Sequence, residues 1–188
     1  MHLFQQRISS LTSPSKAQLD QICSAFTSID LEKGDKLIKQ NTFCNHYFFL
    51  EKGLLRFVYH TKKKEATSWV LFEGTFFSEM IALKSGQRTN MSLEAIESST
   101  VLSIENAVLN ELCRKVSAFE TFLRLTWEDN LYQLLQMKLL QQFSTAKERY
   151  EMLINDRRLS QRIPQKYLAS ILGITPYSLS RLRRQQKH

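Results

Sequence analysis

Ala169, Gly173, Leu179 and Leu182 have types and spacings that suit one task. A small residue lets two helices touch, a residue tolerant of positive φ turns the chain, and two apolar residues seat a second helix on the first. The surrounding stretch, Ile163 to Arg184, reads IPQKYLASILGITPYSLSRLRR. Pro164 fits a first helical turn, where the N–H it lacks has no partner to lose. Leu168, Ile171 and Leu172 give that helix one apolar face, and Gly173 ends it. Thr175 is placed to accept from the free N–H groups of the next helix, and Pro176 to take its first position. With Leu179 and Leu182 buried, the opposite face presents Tyr177, Ser180, Arg181 and Arg184. The chemistry on offer is hydrogen bonding to DNA. Arginine can pair with guanine in the major groove, and Gln165, Lys166, Thr175 and Ser178 are placed for phosphate oxygens. The same spacing also suits an ordinary helical hairpin with a solvated basic face.

Charge weighs on that choice. The 188-residue chain has 26 Lys and Arg against 18 Asp and Glu. Lys147 to His188 holds 10 basic and 3 acidic residues, so 7 of the 8 net positive charges sit there, and no acidic residue follows Arg157. Basicity confined to one segment is a nucleic-acid footprint. An acidic membrane would attract it too, but the segment lacks the broad apolar face with Trp or Phe that an interfacial helix inserts. With 43% hydrophobic residues the chain can bury a core, and its length suits one compact domain plus a smaller one. No run approaches the roughly 20 apolar residues of a membrane span. The stretch MHLFQQRISSLTSPSK lacks the basic and apolar regions of a signal peptide. Cys23, Cys44 and Cys113 are widely spaced, which suits reduced thiols in a cytoplasmic protein.

Several elements must position the basic segment. A polar lead precedes a helix from about Ser15 to Phe26, marked by Leu19, Ile22 and Phe26. From Asp30 to Ile104 short apolar runs alternate with Gly34, Gly53, Gly74 and Gly86; they include Tyr47 to Leu50, Leu54 to Tyr59 and Ser68 to Phe72. Many short strands with regular turns predict a β-sandwich or jelly-roll barrel. Leu55, Phe57 and Tyr59 alternate with Arg56, Val58 and His60, which predicts one buried face for that strand, and Lys62, Lys63 and Lys64 mark a solvated hairpin tip. Ala107 to Val116 reads as a short helix. Ser117 to Phe143 reads as one long helix, since no Gly or Pro occurs between Gly86 and Pro164. Phe119, Leu123, Trp127, Leu131 and Leu134 form one apolar stripe; Phe122, Leu125, Leu135, Leu139 and Phe143 form another. A helix apolar on two sides packs against its own barrel on one and a partner's equivalent helix on the other, unless it is a core helix of a single chain. Thr145 and Glu148 offer a capping box, so the Ser144–Thr145 junction is the expected hinge.

This order of elements resembles the Crp/Fnr family of transcription regulators over essentially the whole chain. The matching stretches are LEKGDKL (Leu31 to Leu37), FLEKGLL (Phe49 to Leu55), FEGTFFSEM (Phe72 to Met80), ERYEML (Glu148 to Leu153) and LGITPYSLSR. The resemblance implies an α+β chain: a cyclic-nucleotide-binding-type jelly-roll sensor domain over 1–116, a dimerisation helix over 117–143, and a helix-turn-helix DNA-binding domain over 144–188. It implies double-stranded DNA and a second copy of the chain as partners, admits RNA polymerase as another, and implies neither catalysis nor a metal. Dimerisation falls to Trp127, Leu131 and Leu134. The effector pocket falls to Ser78, Glu79, Arg88, Thr89, Leu134 and Leu135. Cyclic-AMP-binding members use a Gly-Glu pair, and here Glu79 matches while Ser78 replaces the glycine. Arg88 and Thr89 stand about one residue out of register with the second element. Leu134 and Leu135 fall where the family offers a polar pair to the purine, and an aliphatic pair cannot hydrogen-bond a base edge. A small-molecule effector is therefore expected, but not cyclic AMP held in the familiar way. The chain also ends seven residues past Arg181, short of a full β-hairpin wing. That leaves a ligand-binding sensor with a vestigial DNA domain as the second reading. A cupin-type metalloenzyme is disfavoured, because His2, His46, His60 and His188 form no short ligand motif.

Overall fold

The computed structural model describes residues 1–60, 65–155 and 161–185, excluding the side chains of 154, 155 and 185. The predicted hairpin tip at Lys62, Lys63 and Lys64 lies outside the described residues.

Two four-stranded antiparallel sheets form the middle of the molecule. Their strands are β1 (Thr27–Leu31), β2 (Lys36–Ile38), β3 (His46–Lys52), β4 (Leu54–His60), β5 (Glu65–Phe72), β6 (Phe76–Phe77), β7 (Met91–Ala95) and β8 (Ser99–Glu105). One sheet runs β1-β8-β3-β6 and the other β2-β7-β4-β5. Between them lies a core that includes Phe48, Leu50, Leu55, Leu93 and Val101. The outer face of the first sheet is covered by helices α1 (His2–Leu11), α2 (Lys16–Ser24), α4 (Asn106–Lys115) and the first half of α5 (Ser117–Phe143). There Phe4, Phe49, Phe76, Phe119 and Phe122 are buried together. A short helix, α3 (Met80–Ser85), follows β6.

Local chemistry sets several boundaries. Ser15 caps α2 in a reciprocal box with Gln18, so the predicted helix from Ser15 is found, but it ends at Ser24 rather than Phe26. Thr145 and Glu148 box the start of α6 (Ala146–Asn155): Glu148 N–H donates to Thr145 Oγ1 at 3.3 Å, and Thr145 N–H donates back to the carboxylate. The Thr145 N–H, and with it the Thr145 hydroxyl, which also donates to the carboxylate, hold the Glu148 carboxyl below its usual range. Helix α5 has the bounds expected.

Three expectations change. The polar lead is a helix: Phe4 and Ile8 are fully buried, and the N–H groups of Leu3 and Phe4 donate to the Glu51 carboxylate at 2.8 and 3.0 Å. Strand β4 is buried on both faces: Leu54 and Arg56 lie beneath the C-terminal helices and Val58 is buried, while Tyr59 is exposed. The two stripes of α5 also divide along its length. Phe119, Phe122 and Leu123 are buried in the chain's own core, and Leu131, Leu135, Leu139 and Phe143, spaced four apart, are exposed.

The C-terminal segment packs on the second sheet. Helices α6, α7 (Gln165–Leu172) and α8 (Pro176–Gln185) enclose Tyr150, Ile163, Leu168, Ala169 and Leu179 against Leu54, Val70 and Ile96. The structure thus has four layers, with helices outside each sheet.

Candidate functional site

Two places gather the predicted site residues. The first is a cavity of about 580 Å³ where the edge strands β5 and β6 meet α3 and α5. Its walls include Phe57, Trp69 and Leu71 from one sheet, Phe76 from the other, and Trp127 and Met137 from α5. Trp127 lies 6.1 Å from the Tyr47 ring and 6.0 Å from that of Phe76, so it packs within its own chain rather than standing free for a partner.

Of the six predicted pocket residues, Ser78, Glu79 and Leu134 line this cavity. Ser78 donates its hydroxyl to the His46 carbonyl at 2.8 Å. Glu79 is buried and caps α3 with its own carboxylate, accepting from the N–H groups of Ile81 at 3.2 Å and Ala82 at 2.9 Å. Arg88, Thr89 and Leu135 are not brought there. Arg88 donates to the Asn41 carbonyl at 2.7 Å, lies 4.7 Å from the Phe43 ring and is exposed. Thr89 is buried with Oγ1 accepting from Met91 N–H at 2.9 Å, and Leu135 stands on the exposed stripe of α5. Sequence reasoning missed Phe57, Trp69, Asn130 and Met137. The available signal was the pair of tryptophans, one on a strand and one on the long helix, each costly to leave in water.

The second place is the helical pair α7–α8. Pro164 sits one residue earlier than expected, as the N-cap of α7. Gly173 ends that helix at φ 70°, a left-handed turn that an L side chain adopts only with strain. Thr175 Oγ1 accepts from Ser178 N–H at 3.1 Å and so caps α8, with Pro176 in its first position. Leu179 and Ala169 are buried between the two helices, while Leu182 is half-buried. Gln165, Lys166, Thr175, Tyr177, Arg181 and Arg184 are exposed, and Ser178 and Ser180 are half-buried. Arg183 turns inward instead, donating to the Tyr150 hydroxyl at 3.2 Å.

Polar clamps tie this pair to the sheet. Arg162 donates to both oxygens of Glu73 at 2.7 and 2.9 Å, to the Gly53 carbonyl at 3.2 Å, and to Glu97. The hydrogen bond from Arg162 is the main reason the Glu73 carboxyl lies below its usual range, and Glu73 and Glu97 together push the guanidinium up. Arg56 pairs with Glu94 at 2.9 Å, donates to Thr67 at 3.0 Å, and lies 4.0 Å from the Tyr167 ring. Ser170 donates to the Thr67 carbonyl at 3.2 Å. Among the described residues no helix is long and apolar enough to cross a membrane.

Residues 28–116 match the cyclic nucleotide-binding domain family. No curated protein matches the sequence. Several solved structures match the fold. A CooA mutant from Carboxydothermus hydrogenoformans superposes with a TM-score of 0.72 at 22% identity, over 89% of this chain and 78% of that one. FixK2 from Bradyrhizobium japonicum gives 0.69 at 19% identity, over 85% and 83%. The c-di-GMP responsive global regulator CLP of Xanthomonas campestris gives 0.74 at 11% identity, over 92% of each chain. Residues 28–116 thus match the cyclic nucleotide-binding domain family, in a chain whose fold is similar to those of the solved CooA, FixK2 and CLP structures.

Proposed function

We propose that this chain is a sequence-specific DNA-binding transcription regulator of the Crp/Fnr type, working as a homodimer under the control of an effector in the barrel cavity. The observation that carries this reading is the outer face of α8, where Tyr177, Arg181 and Arg184 are exposed on a helix whose inner face is seated by the fully buried Leu179. A helix fixed from behind and cationic in front is what major-groove reading requires. Gln165, Lys166, Thr175 and Ser178 flank it for phosphates, and Ser180 stands beside the base-facing residues. In domain terms, 1–116 senses, 117–143 joins two copies and 144–188 binds DNA.

Dimerisation is supported by the free apolar stripe of α5, where Leu131, Leu135, Leu139 and Phe143 are 56%, 52%, 51% and 75% exposed. Such a row on a soluble helix invites a matching copy. Two copies would set their α8 helices about 34 Å apart, one DNA turn, and so select a near-palindromic site.

Cyclic AMP is not the effector in this proposal. Arg88 stands outside the cavity, and Glu79 spends its carboxylate on α3. The test of the whole reading is selection from a random duplex library with the full chain, followed by binding titrations on the recovered sites. A recovered near-palindrome bound at least about a thousandfold more tightly than random duplex is expected. Equal affinity for all duplexes would leave only a sensor with a vestigial DNA domain.

A further inference from the structure

From the walls of the cavity beside α5, and resting on its reading as an effector site, we infer that it takes an uncharged, largely apolar small molecule with an aromatic ring, and rejects anions. Its volume, about 580 Å³, suits a molecule of ordinary effector or drug size.

Charge decides against a nucleotide. Among the described lining residues the only ionisable side chain is Glu79, so a phosphate entering the cavity meets a carboxylate and no cation. The first N–H groups of α3 do not offset this, because both oxygens of Glu79 already accept from Ile81 and Ala82. Arg88 is held outside, between the Asn41 carbonyl and the Phe43 ring.

The apolar walls decide for a ring. Phe57, Trp69, Phe76 and Trp127 present aromatic faces and edges, and the thioethers of Met91 and Met137 adapt their shape to what lies against them. The polar groups available to such a ligand are neutral. Asn130 already donates its amide to the Phe76 carbonyl at 3.0 Å, which leaves its oxygen as an acceptor; the Thr75 hydroxyl and the Gln133 and Gln141 amides stand with it, while Ser68 and Ser78 donate their hydroxyls to the Phe57 and His46 carbonyls. These suit one or two hydrogen bonds from an otherwise greasy molecule.

The chain's two tryptophans, Trp69 and Trp127, both line this cavity and so report on its contents. The experiment titrates the full chain with neutral N-phenyl-naphthylamine and, separately, with anilinonaphthalene sulfonate, which adds an anionic sulfonate to the same ring system. Saturable uptake of one neutral probe per chain in the micromolar range is expected, with tryptophan quenching. The sulfonate should bind at least about tenfold more weakly, as repulsion by a buried carboxylate requires. Glu79→Gln, which keeps an oxygen for the α3 N–H groups but removes the charge, should narrow that ratio. Met137→Trp, which puts an indole into the space, should abolish uptake as followed by probe emission. Equal binding of the two probes, an unchanged ratio in Glu79→Gln, displacement of the neutral probe by cyclic AMP, or full uptake by Met137→Trp would each overturn the inference. DNA titrations on the same samples separate the two proposals. Specific DNA binding without probe uptake removes the ligand class and leaves the regulator; uptake by a chain that cannot select DNA does the reverse.

Discussion

Arg181 and Lys166 are both exposed cations of the C-terminal helices, yet they should fail differently. Arg181 lies on the outer face of α8, and a guanidinium there can read a guanine by two parallel hydrogen bonds. Arg181→Ala should cost about 1–3 kcal/mol at one base pair per half-site and flatten preference there. Lys166 lies in the first turn of α7, where the proposed function has its ammonium meet a phosphate. Lys166→Ala should weaken every sequence alike and lower the salt slope by about one counterion. Titrations on matched and point-changed duplexes at two salt concentrations separate these outcomes, and equal losses on all sequences for Arg181→Ala would refute its role. Gly53 gives a stability prediction. Its φ is 102°, and an added Cβ would stand 2.1 Å from Ser99 Oγ, so Gly53→Ala should cost at least about 2 kcal/mol in a denaturant melt. Residues whose job is local were legible in the chain: Gly173 ends a helix and Thr175 caps one through atoms three residues away. Residues whose job is set from afar were not. Arg88 has the right type for a phosphate, but the Asn41 carbonyl, 47 positions away, decides where it points.

Helix α5 shows the same limit on a larger scale. Its length was readable, because nothing between Ser117 and Phe143 breaks a helix. Its division of labour was not, because apolar residues look alike whether the surface they cover belongs to the same chain or to another. The stripe free for a partner is Leu131, Leu135, Leu139 and Phe143, with Leu134 exposed beside it at the rim of the cavity, whereas Trp127 packs within its own chain. Leu135→Glu with Leu139→Glu should therefore give monomers by light scattering with the melting temperature of the barrel little changed. A wild type that scatters as a monomer at working concentrations would end the dimer reading. Helix α1 was missed for a related reason. The acceptor for its first N–H groups is Glu51, from a strand far along the chain, and its first turn holds no capping side chain of its own. Strand β4 looked one-sided because alternation reports polarity. Arg56 is polar yet buried, satisfied by Glu94, Thr67 and the Tyr167 ring.

For the molecule as a whole, the contact that matters most is the seat of the C-terminal helices on the second sheet. Its apolar part, Leu54, Val70 and Ile96 against Leu168 and Leu172, does not titrate, but the clamp around Arg162 does. The folded Glu73 carboxyl is held below its free value, so its contribution is present above the ordinary carboxylate range and is lost as pH falls through the lower, folded value. Hydrogen exchange in α7 should accordingly speed up on acidification below about pH 4, before the barrel strands respond. Arg162→Ala should bring the same acceleration, severalfold, at neutral pH. Exchange in α7 unaffected by both changes would show that the apolar contact alone sets the docking.

The sheet β2-β7-β4-β5 is also a partition one strand thick. On β4, Phe57 faces the cavity while its neighbour Arg56 lies beneath Tyr167; across the ladder, Trp69 lines the cavity and the adjacent Val70 packs on the C-terminal helices. Whatever enters the cavity therefore presses on a wall whose other surface is the seat of the C-terminal helices, the DNA-binding unit of the proposed function, and news of occupancy travels the width of a backbone rather than the length of α5. A close-packed interior gives such a wall little room to absorb displacement silently. In a double-mutant cycle, Phe57→Leu and Tyr167→Leu should couple in their effects on stability although the two rings lie on opposite surfaces of the sheet. A partition this thin makes the cavity and the seat of the C-terminal helices two sides of one surface, so that sequence drift on either side is felt at once on the other.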